Sequence, residues 1–370
     1  MTATQPKCVE AAAPGDWPEE GLETLGACPV CAGTGRSLVH AGLRDGLRGD
    51  GYAVAPGRWN LYRCAGCGAG YLDPRPNVES IGMAYLQKDT PGPVGQEDLN
   101  PRSAWRRYRA ALRNGYLNAH YGYQLTPAKG QGPLWLSSKQ RQRYDTYVAY
   151  LRYPGKGARV LDVGCGPGHF LVKMRAAGWE VCGIEPNPKA AAAVAAAGLD
   201  VRVGMLETLA LPEGHFDAVS LHHVIEHLHD PIATLRLCLR VLKPGGVITV
   251  ATPNFEAAGH RVFGPDWFPL IPPRHLVLFT AASLSCALAA AGFQPEPAIR
   301  LRLGAHEMFR RGMHIRNGSC PRSEQPPLPA LSRLKARWLA WRADRATCMK
   351  PELAEELVLL ARRPGPAAVR

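Results

Sequence analysis

Residues 160–170, VLDVGCGPGHF, constrain this chain more than any other stretch. An apolar strand runs into Asp162, and glycines then occupy every second position at Gly164, Gly166 and Gly168. A chain that turns sharply off a strand while a ligand approaches its backbone cannot carry a Cβ at the contact points. The pattern predicts a nucleotide-cofactor loop. A dinucleotide fingerprint would need G-x-G-x-x-G, and the place of its third glycine is held by His169.

The residues downstream narrow this expectation. Residues 181–184 are a short apolar run ending in Glu185, 23 positions after Asp162. An acid at the tip of a second strand is placed to accept both hydroxyls of a ribose. Residues 188–198 are alanine-rich and close on a glycine, which predicts a helix. Strands are expected at 199–203, 216–221 and 247–251, with a helix at 230–242 stopped by Lys-Pro-Gly-Gly. Strands alternating with helices predict an α/β fold, a doubly wound parallel sheet with its ligand at the carboxyl ends of the strands.

The G-x-G-x-G form with Asp162 two residues upstream resembles motif I of the class I S-adenosylmethionine-dependent methyltransferases. FDAVSLHHVIEHLHDP and LKPGGVITVATPN are similar to the same family almost throughout, and the likeness covers about residues 143–303 plus a last strand at 355–361. WFPLIPPRHLVLFTAASL resembles the segment after strand five in the ubiquinone-pathway and polysaccharide or small-molecule group. The resemblance implies a seven-stranded Rossmann-like methyltransferase sheet with S-adenosylmethionine as cofactor. It implies a cofactor site of Asp162, Gly164, Cys165, Gly166, Gly168, Glu185, Met205, Leu206 and His222. Many relatives have an Asp against the adenine where this chain has Met205, so apolar contacts from Met205 and Leu206 are expected there.

If the methyl acceptor is a hydroxyl, a base must take its proton. Histidine suits that task, with an unperturbed pKa of ~6.5. His222 and His223 follow the fourth strand, whose carboxyl end faces the methyl group in this fold. His223-x-x-Glu226-His227 also matches the H-x-x-E-H zinc-protease pattern, but its place after strand four of a methyltransferase series argues against a protease. The resembling quinone O-methyltransferases carry E-x-x-E-H there, a version that can hold a divalent ion; His223 replaces the first Glu. His275, in Pro-Pro-Arg-His, is the further base expected, with Arg274 as a phosphate or carboxylate contact and Trp267, Phe268 and Phe279 walling the acceptor pocket.

At 370 residues the chain exceeds one average domain. Eleven cysteines, an odd count, do not read as a disulfide framework. Cys28-x-x-Cys31 and Cys64-x-x-Cys67 predict a four-thiolate shell for a structural zinc ion, similar to the zinc ribbon at the N-terminus of some methyltransferases. The expected organisation is a disordered tail over 1–24, a zinc ribbon over 25–76, a helical linker or lid over 77–142, and a methyltransferase domain over 143–370 with an insertion at about 304–350.

No run of ~18 apolar residues is present, and the chain reads as soluble and cytoplasmic. The net charge of +13 is uneven: +5 over 1–154, +1 over 155–303 and +7 over 304–370. Two arginine-rich helices concentrate it. One is expected to present Trp105, Tyr108, Leu112 and Tyr116 to the core, and the other Leu331, Leu334, Trp338 and Trp341. Peripheral membrane contact, holding a phosphate-bearing substrate and RNA contact are the other roles such helices suggest. The function expected is O-methylation of a small-molecule or glycan acceptor; the alternative is an RNA methyltransferase that uses the ribbon and basic flanks.

Overall fold

The computed structural model describes residues 17–45, 54–85, 103–130, 137–299, 301, 305–318 and 328–365. The N-terminal part is a small antiparallel unit of β1 (Leu22–Glu23), β2 (Arg36–Leu43), β3 (Trp59–Cys64), β4 (Gly70–Leu72) and β5 (Arg75–Pro76). Helices α1 (Ala104–Tyr121) and α2 (Ser138–Tyr147) follow. Then the chain alternates: β6 (Arg159–Val163), α3 (His169–Ala176), β7 (Glu180–Glu185), α4 (Pro188–Ala196), β8 (Asp200–Val203), β9 (Phe216–His222), α5 (Pro231–Val241) and β10 (Leu242–Pro253). The remainder is α6 (Ala258–Phe263), β11 (Val277–Leu278), α7 (Ala281–Ala290), β12 (Gln294–Pro295), α8 (Ala305–Arg316), α9 (Ala330–Met349) and β13 (Glu356–Arg362).

The large sheet has seven strands in the order β12-β13-β10-β9-β6-β7-β8. The five from β10 to β8 are parallel, and β13 runs antiparallel against β10. This is the expected α/β Rossmann-like sheet. Its central strand β6 is buried from Val160 to Val163, as the continuous apolar run of a two-faced parallel strand requires. Helices start where capping chemistry permits: the Asn187 side chain accepts from the Lys189 and Ala190 amides with Pro188 in the first turn, and Asp230 caps α5 ahead of Pro231. The order reverses at β6, where the chain goes on to β7 and β8 on one side and returns to β9 and β10 on the other. That crevice, at the carboxyl ends of β6 and β9, is where such sheets bind ligands.

The N-terminal unit is not a separate bead. Strand β11, from the methyltransferase part, completes its sheet in the order β11-β4-β3-β2, pairing Val277 with Tyr71 and Leu278 with Gly70. Cys28, Val30, Cys64 and Tyr71 share one buried apolar cluster with Leu221, Val250, Leu276 and Phe279. The tail also ends earlier than expected. Trp17 is buried, edge-on to Trp59, and β1 pairs with β5. Residues 17–24 therefore belong to the folded unit, and the rest of the expected tail lies outside the described residues.

The two basic helices depart from expectation. Leu112 and Tyr116 of α1 are buried, whereas Trp105 and Tyr108 are exposed. In α9 the reversal is complete: Ala336, Ala340, Ala343 and Thr347 face inward, and Leu331, Leu334, Trp338 and Trp341 face solvent. Small side chains let α9 lie close against α8, and that contact outweighs burial of the larger residues. No described helix is long and apolar enough to cross a membrane.

Candidate functional site

The glycine loop leaves β6 with the Gly164 and Cys165 amides both donating to the Ile184 carbonyl, at 2.8 and 2.9 Å. This folds the loop over the end of β7. Gly164 has φ +70°, and a Cβ there would lie 2.6 Å from a Val224 methyl. Gly166, at φ +51°, faces open space instead, so the loop leaves room where a ligand would meet its backbone. Glu185 is fixed at the tip of β7: its two carboxylate oxygens accept from the Gly166 and Asn187 amides, each at 2.9 Å. Burial raises its pKa, and each oxygen retains a lone pair for a further donor.

Asp162 lies beneath the loop, fully desolvated, and accepts a hydrogen bond from Ser220 across β6 and β9. Burial raises it to about 7, against the Ser220 bond. Beyond β8, Met205 is 46% exposed and Val203 53%, an uncovered apolar surface suited to a purine face. Leu206 is buried, and Glu207 is taken up by the Thr234 hydroxyl of α5. Cys165 is buried, its thiol raised to about 12 by desolvation, which makes it a packing group.

The histidines separate into three environments. His222 stands edge-on to Phe170 and is lowered to about 4 by desolvation, hence neutral. His223 has a left-handed backbone, φ +55°, which swings its ring out to Glu356 at the start of β13. Its Nε2 is 2.8 Å from Glu356 Oε1 and its Nδ1 3.4 Å from Glu226 Oε1. Against desolvation, these two carboxylates bring its pKa up to about 10. At neutral pH it is a cation, the wrong state for accepting a proton.

His275 lies with Glu226 and His227, the three offering ligand atoms within 4.8 Å of one another. His275 Nδ1 donates to the Pro269 carbonyl at 2.7 Å, and His227 Nδ1 donates to the Arg274 carbonyl at 2.9 Å with the Tyr85 hydroxyl at 3.0 Å. A carbonyl only accepts, so both rings carry their proton on Nδ1 and keep the Nε2 lone pair. Desolvation lowers His275 to about 3 and lowers His227 too. Glu226 is fully buried, takes the Thr252 hydroxyl at 2.9 Å, and is held at about 2, against desolvation, chiefly by its hydrogen bond with His223.

The sequence placed the next residues differently. Arg274 is no substrate contact: its guanidinium is buried, donating to the Ala84 carbonyl and to Asp45 of the N-terminal unit. Trp267 and Phe279 are core residues, with Trp267 Nε1 on Glu355 at 3.2 Å; of the three expected wall residues only Phe268 is partly exposed, under Arg311. Tyr85 and Glu356 were missed, since neither stands in a motif. A backbone chain joins the parts: the Leu72 amide donates to the Leu276 carbonyl, and the Leu276 amide to the Glu226 carbonyl.

The four cysteines converge as their spacing predicts. Cys28 and Cys67 sulfurs are 3.6 Å apart, Cys31 and Cys64 3.5 Å, and all four lie within 4.8 Å. A tetrahedral zinc shell with ~2.3 Å bonds has sulfur edges of ~3.8 Å. The Val30 amide points at Cys28 Sγ at 3.4 Å, a bond that stabilises thiolate. The donor set fits zinc.

A family of methyltransferase domains matches residues 136–297. A "probable S-adenosylmethionine-dependent methyltransferase" of Mycolicibacterium smegmatis is 33% identical over 186 residues, 50% of this chain and 68% of that protein. The ubiquinone biosynthesis O-methyltransferase of Xanthomonas oryzae pv. oryzae is 39% identical over 127 residues, 32% of this chain and 53% of that protein. The chain thus spans about half to two thirds of these relatives. Among solved structures, an S-adenosylmethionine-dependent methyltransferase from Mesorhizobium loti has 20% identity and a TM-score of 0.39, covering 60% of this chain and 97% of that one. The chain belongs to the S-adenosylmethionine-dependent methyltransferases, and it is an enzyme of that type.

Proposed function

We propose that the protein transfers methyl from S-adenosylmethionine to a hydroxyl of a small-molecule acceptor. The observation that carries this reading is the buried Glu226, His227 and His275 set, with both imidazoles neutral and fixed by backbone carbonyls. The cofactor supplies an activated methyl group on a sulfonium. Gly164, Gly166 and Gly168 would receive it on the loop backbone, Glu185 its ribose, and Met205 with Leu206 its adenine. His222, neutral beside Phe170, would border the methyl side.

His275 would take the acceptor proton on Nε2, with the Glu226 carboxylate beside it to stabilise the imidazolium. His223, already a cation between Glu226 and Glu356, holds the loop after β9 in place and offers positive charge; His275 is assigned the base role on its position beside Glu226, which has to stabilise its imidazolium against the desolvation that lowers its pKa to about 3. The four cysteines would hold a structural zinc that leaves no open coordination position.

A second reading is favoured by the same donor set. One carboxylate and two Nε2 lone pairs, each ring set by a carbonyl, is an arrangement that suits a divalent ion. His275 is the third member of this group, and His223 pairs with its Glu226 from outside, Nδ1 to Oε1 at 3.4 Å. Metal analysis of Cys28→Ser/Cys31→Ser protein separates the two sites: residual stoichiometric metal, lost in His275→Ala, supports an ion at this cluster.

Transfer of labelled methyl to cell extract, split into RNA, lipid, glycan and small-metabolite pools, tests the function. Label among small metabolites that falls sharply with His275→Ala is expected. Label confined to RNA overturns the proposal.

A further inference from the structure

Helix α9 presents an apolar face to solvent. Leu331, Leu334, Trp338 and Trp341 are 82, 61, 52 and 55% exposed. At 3.6 residues per turn they share one side, opposite the alanines packed on the body. Five cations accompany them, Arg333, Lys335, Arg337, Arg342 and Arg345, on the same helix. The helix has one acidic residue, Asp344, and it is bound to Lys139 of α2 at 2.5 Å. Arg342 lies over the Trp338 ring and Arg345 over Trp341, at 4.7 and 5.0 Å.

We propose that this face of α9 docks flat on an anionic lipid surface. A stripe of leucine and tryptophan flanked by arginine and lysine is the composition of an interfacial helix: the rings enter the headgroup boundary and the cations meet lipid phosphates. The 20-residue helix offers a contact ~30 Å long. A second copy of the chain fits poorly, since face-to-face pairing sets two rows of five cations together while the one carboxylate of each helix is already bound to Lys139. A nucleic acid would use the arginines but leave Leu331 and Leu334 in water.

The docked surface has a definite place relative to the reaction. Helix α8 lies between α9 and the acceptor-side segment: it packs on α6 and on residues 264–270, and Arg311 covers Phe268 at 4.4 Å. Binding through the outer face of α9 sets the lipid surface two helix layers, α9 and α8, from residues 264–270, which precede His275. This inference does not depend on the acceptor being small or on His275 being the base.

Flotation of the full-length protein with vesicles of phosphatidylcholine, with and without phosphatidylglycerol, tests it. Association with the anionic vesicles alone is expected, with a blue shift of tryptophan emission. R337E/R342E/R345E should weaken it by ~100-fold or more, at about fivefold per cation removed. W338A/W341A should weaken it by ~10-fold. Because these side chains lie on the outer side of the helix, both variants should keep the parent melting temperature and S-adenosylmethionine binding. Equal recovery with both vesicle types, anionic binding unchanged in either variant, dimerisation lost with W338A/W341A, or RNA that binds the same arginines while vesicles do not would each overturn the proposal.

Discussion

The proposed cofactor half and the proposed acceptor half of this enzyme are built on opposite principles. The cofactor half is local: Asp162, the three glycines and Glu185 fall within one β6-α3-β7 unit, tied by amides of Gly164, Cys165 and Gly166. The acceptor half is assembled from far apart. Tyr85, Glu226 with His227, His275 and Glu356 come from separate stretches of chain, and β11, just after His275, pairs with β4 of the N-terminal sheet. The difference teaches that the N-terminal unit walls the proposed acceptor side, and that damage to it should be felt there first.

Removing the zinc proposed for the four-cysteine site gives the largest expected separation. Structural zinc contributes on the order of 10 kcal/mol to the folding of small units. In Cys64→Ser/Cys67→Ser protein, turnover should fall by orders of magnitude while S-adenosylmethionine affinity, by calorimetry, stays within a few-fold. Equal loss of both would break the comparison.

The next largest effect is His275→Ala, expected to lower kcat by ~10²–10⁴ with little change in the cofactor KM. Glu185→Gln should do the reverse, weakening the cofactor by ~10–100-fold as a charge-assisted hydrogen bond is lost, with kcat at saturation nearly intact. Steady-state kinetics in both substrates separates these outcomes.

The glycine loop and the Glu185 contact to the Gly166 amide were legible because they lie within one stretch of chain. The strand-helix alternation, the last strand and the four-cysteine convergence were legible for the same reason. The acceptor half was not, and Arg274 shows why: its place beside His275 suggested a substrate contact, whereas its partner is Asp45, 229 positions away. Hydrophobic patterning misled in α9, where two faces are apolar and the alanine face is the one buried. His223 reads as a base by its place after β9, whereas Glu226 three residues on and Glu356 on the final strand together favour its protonated form.

The smallest expected effect is a pH dependence of stability. His222 and His275 are lowered to about 4 and about 3 by desolvation, so below ~6.5 the unfolded chain binds protons that the native state does not. Their contribution is full above ~6.5 and is lost as pH falls toward their native values. Asp162 and Glu355, both raised to about 7 by burial, act in the opposite sense, favouring the native state as pH falls from ~7 to ~4. His275→Gln should therefore reduce acid loss of melting temperature, and Glu355→Gln should increase it. Thermal unfolding at about pH 7.5 and about pH 5 distinguishes the two.

The unity of the ribbon and the acceptor side is tested most directly by hydrogen exchange on full-length protein before and after chelation. Residues 269–279, whose Leu276 amide and β11 strand link Leu72 to Glu226, should lose protection together with 59–72, while 160–168 and 180–187 keep theirs. Loss confined to 59–72, with 269–279 still protected, would contradict the account.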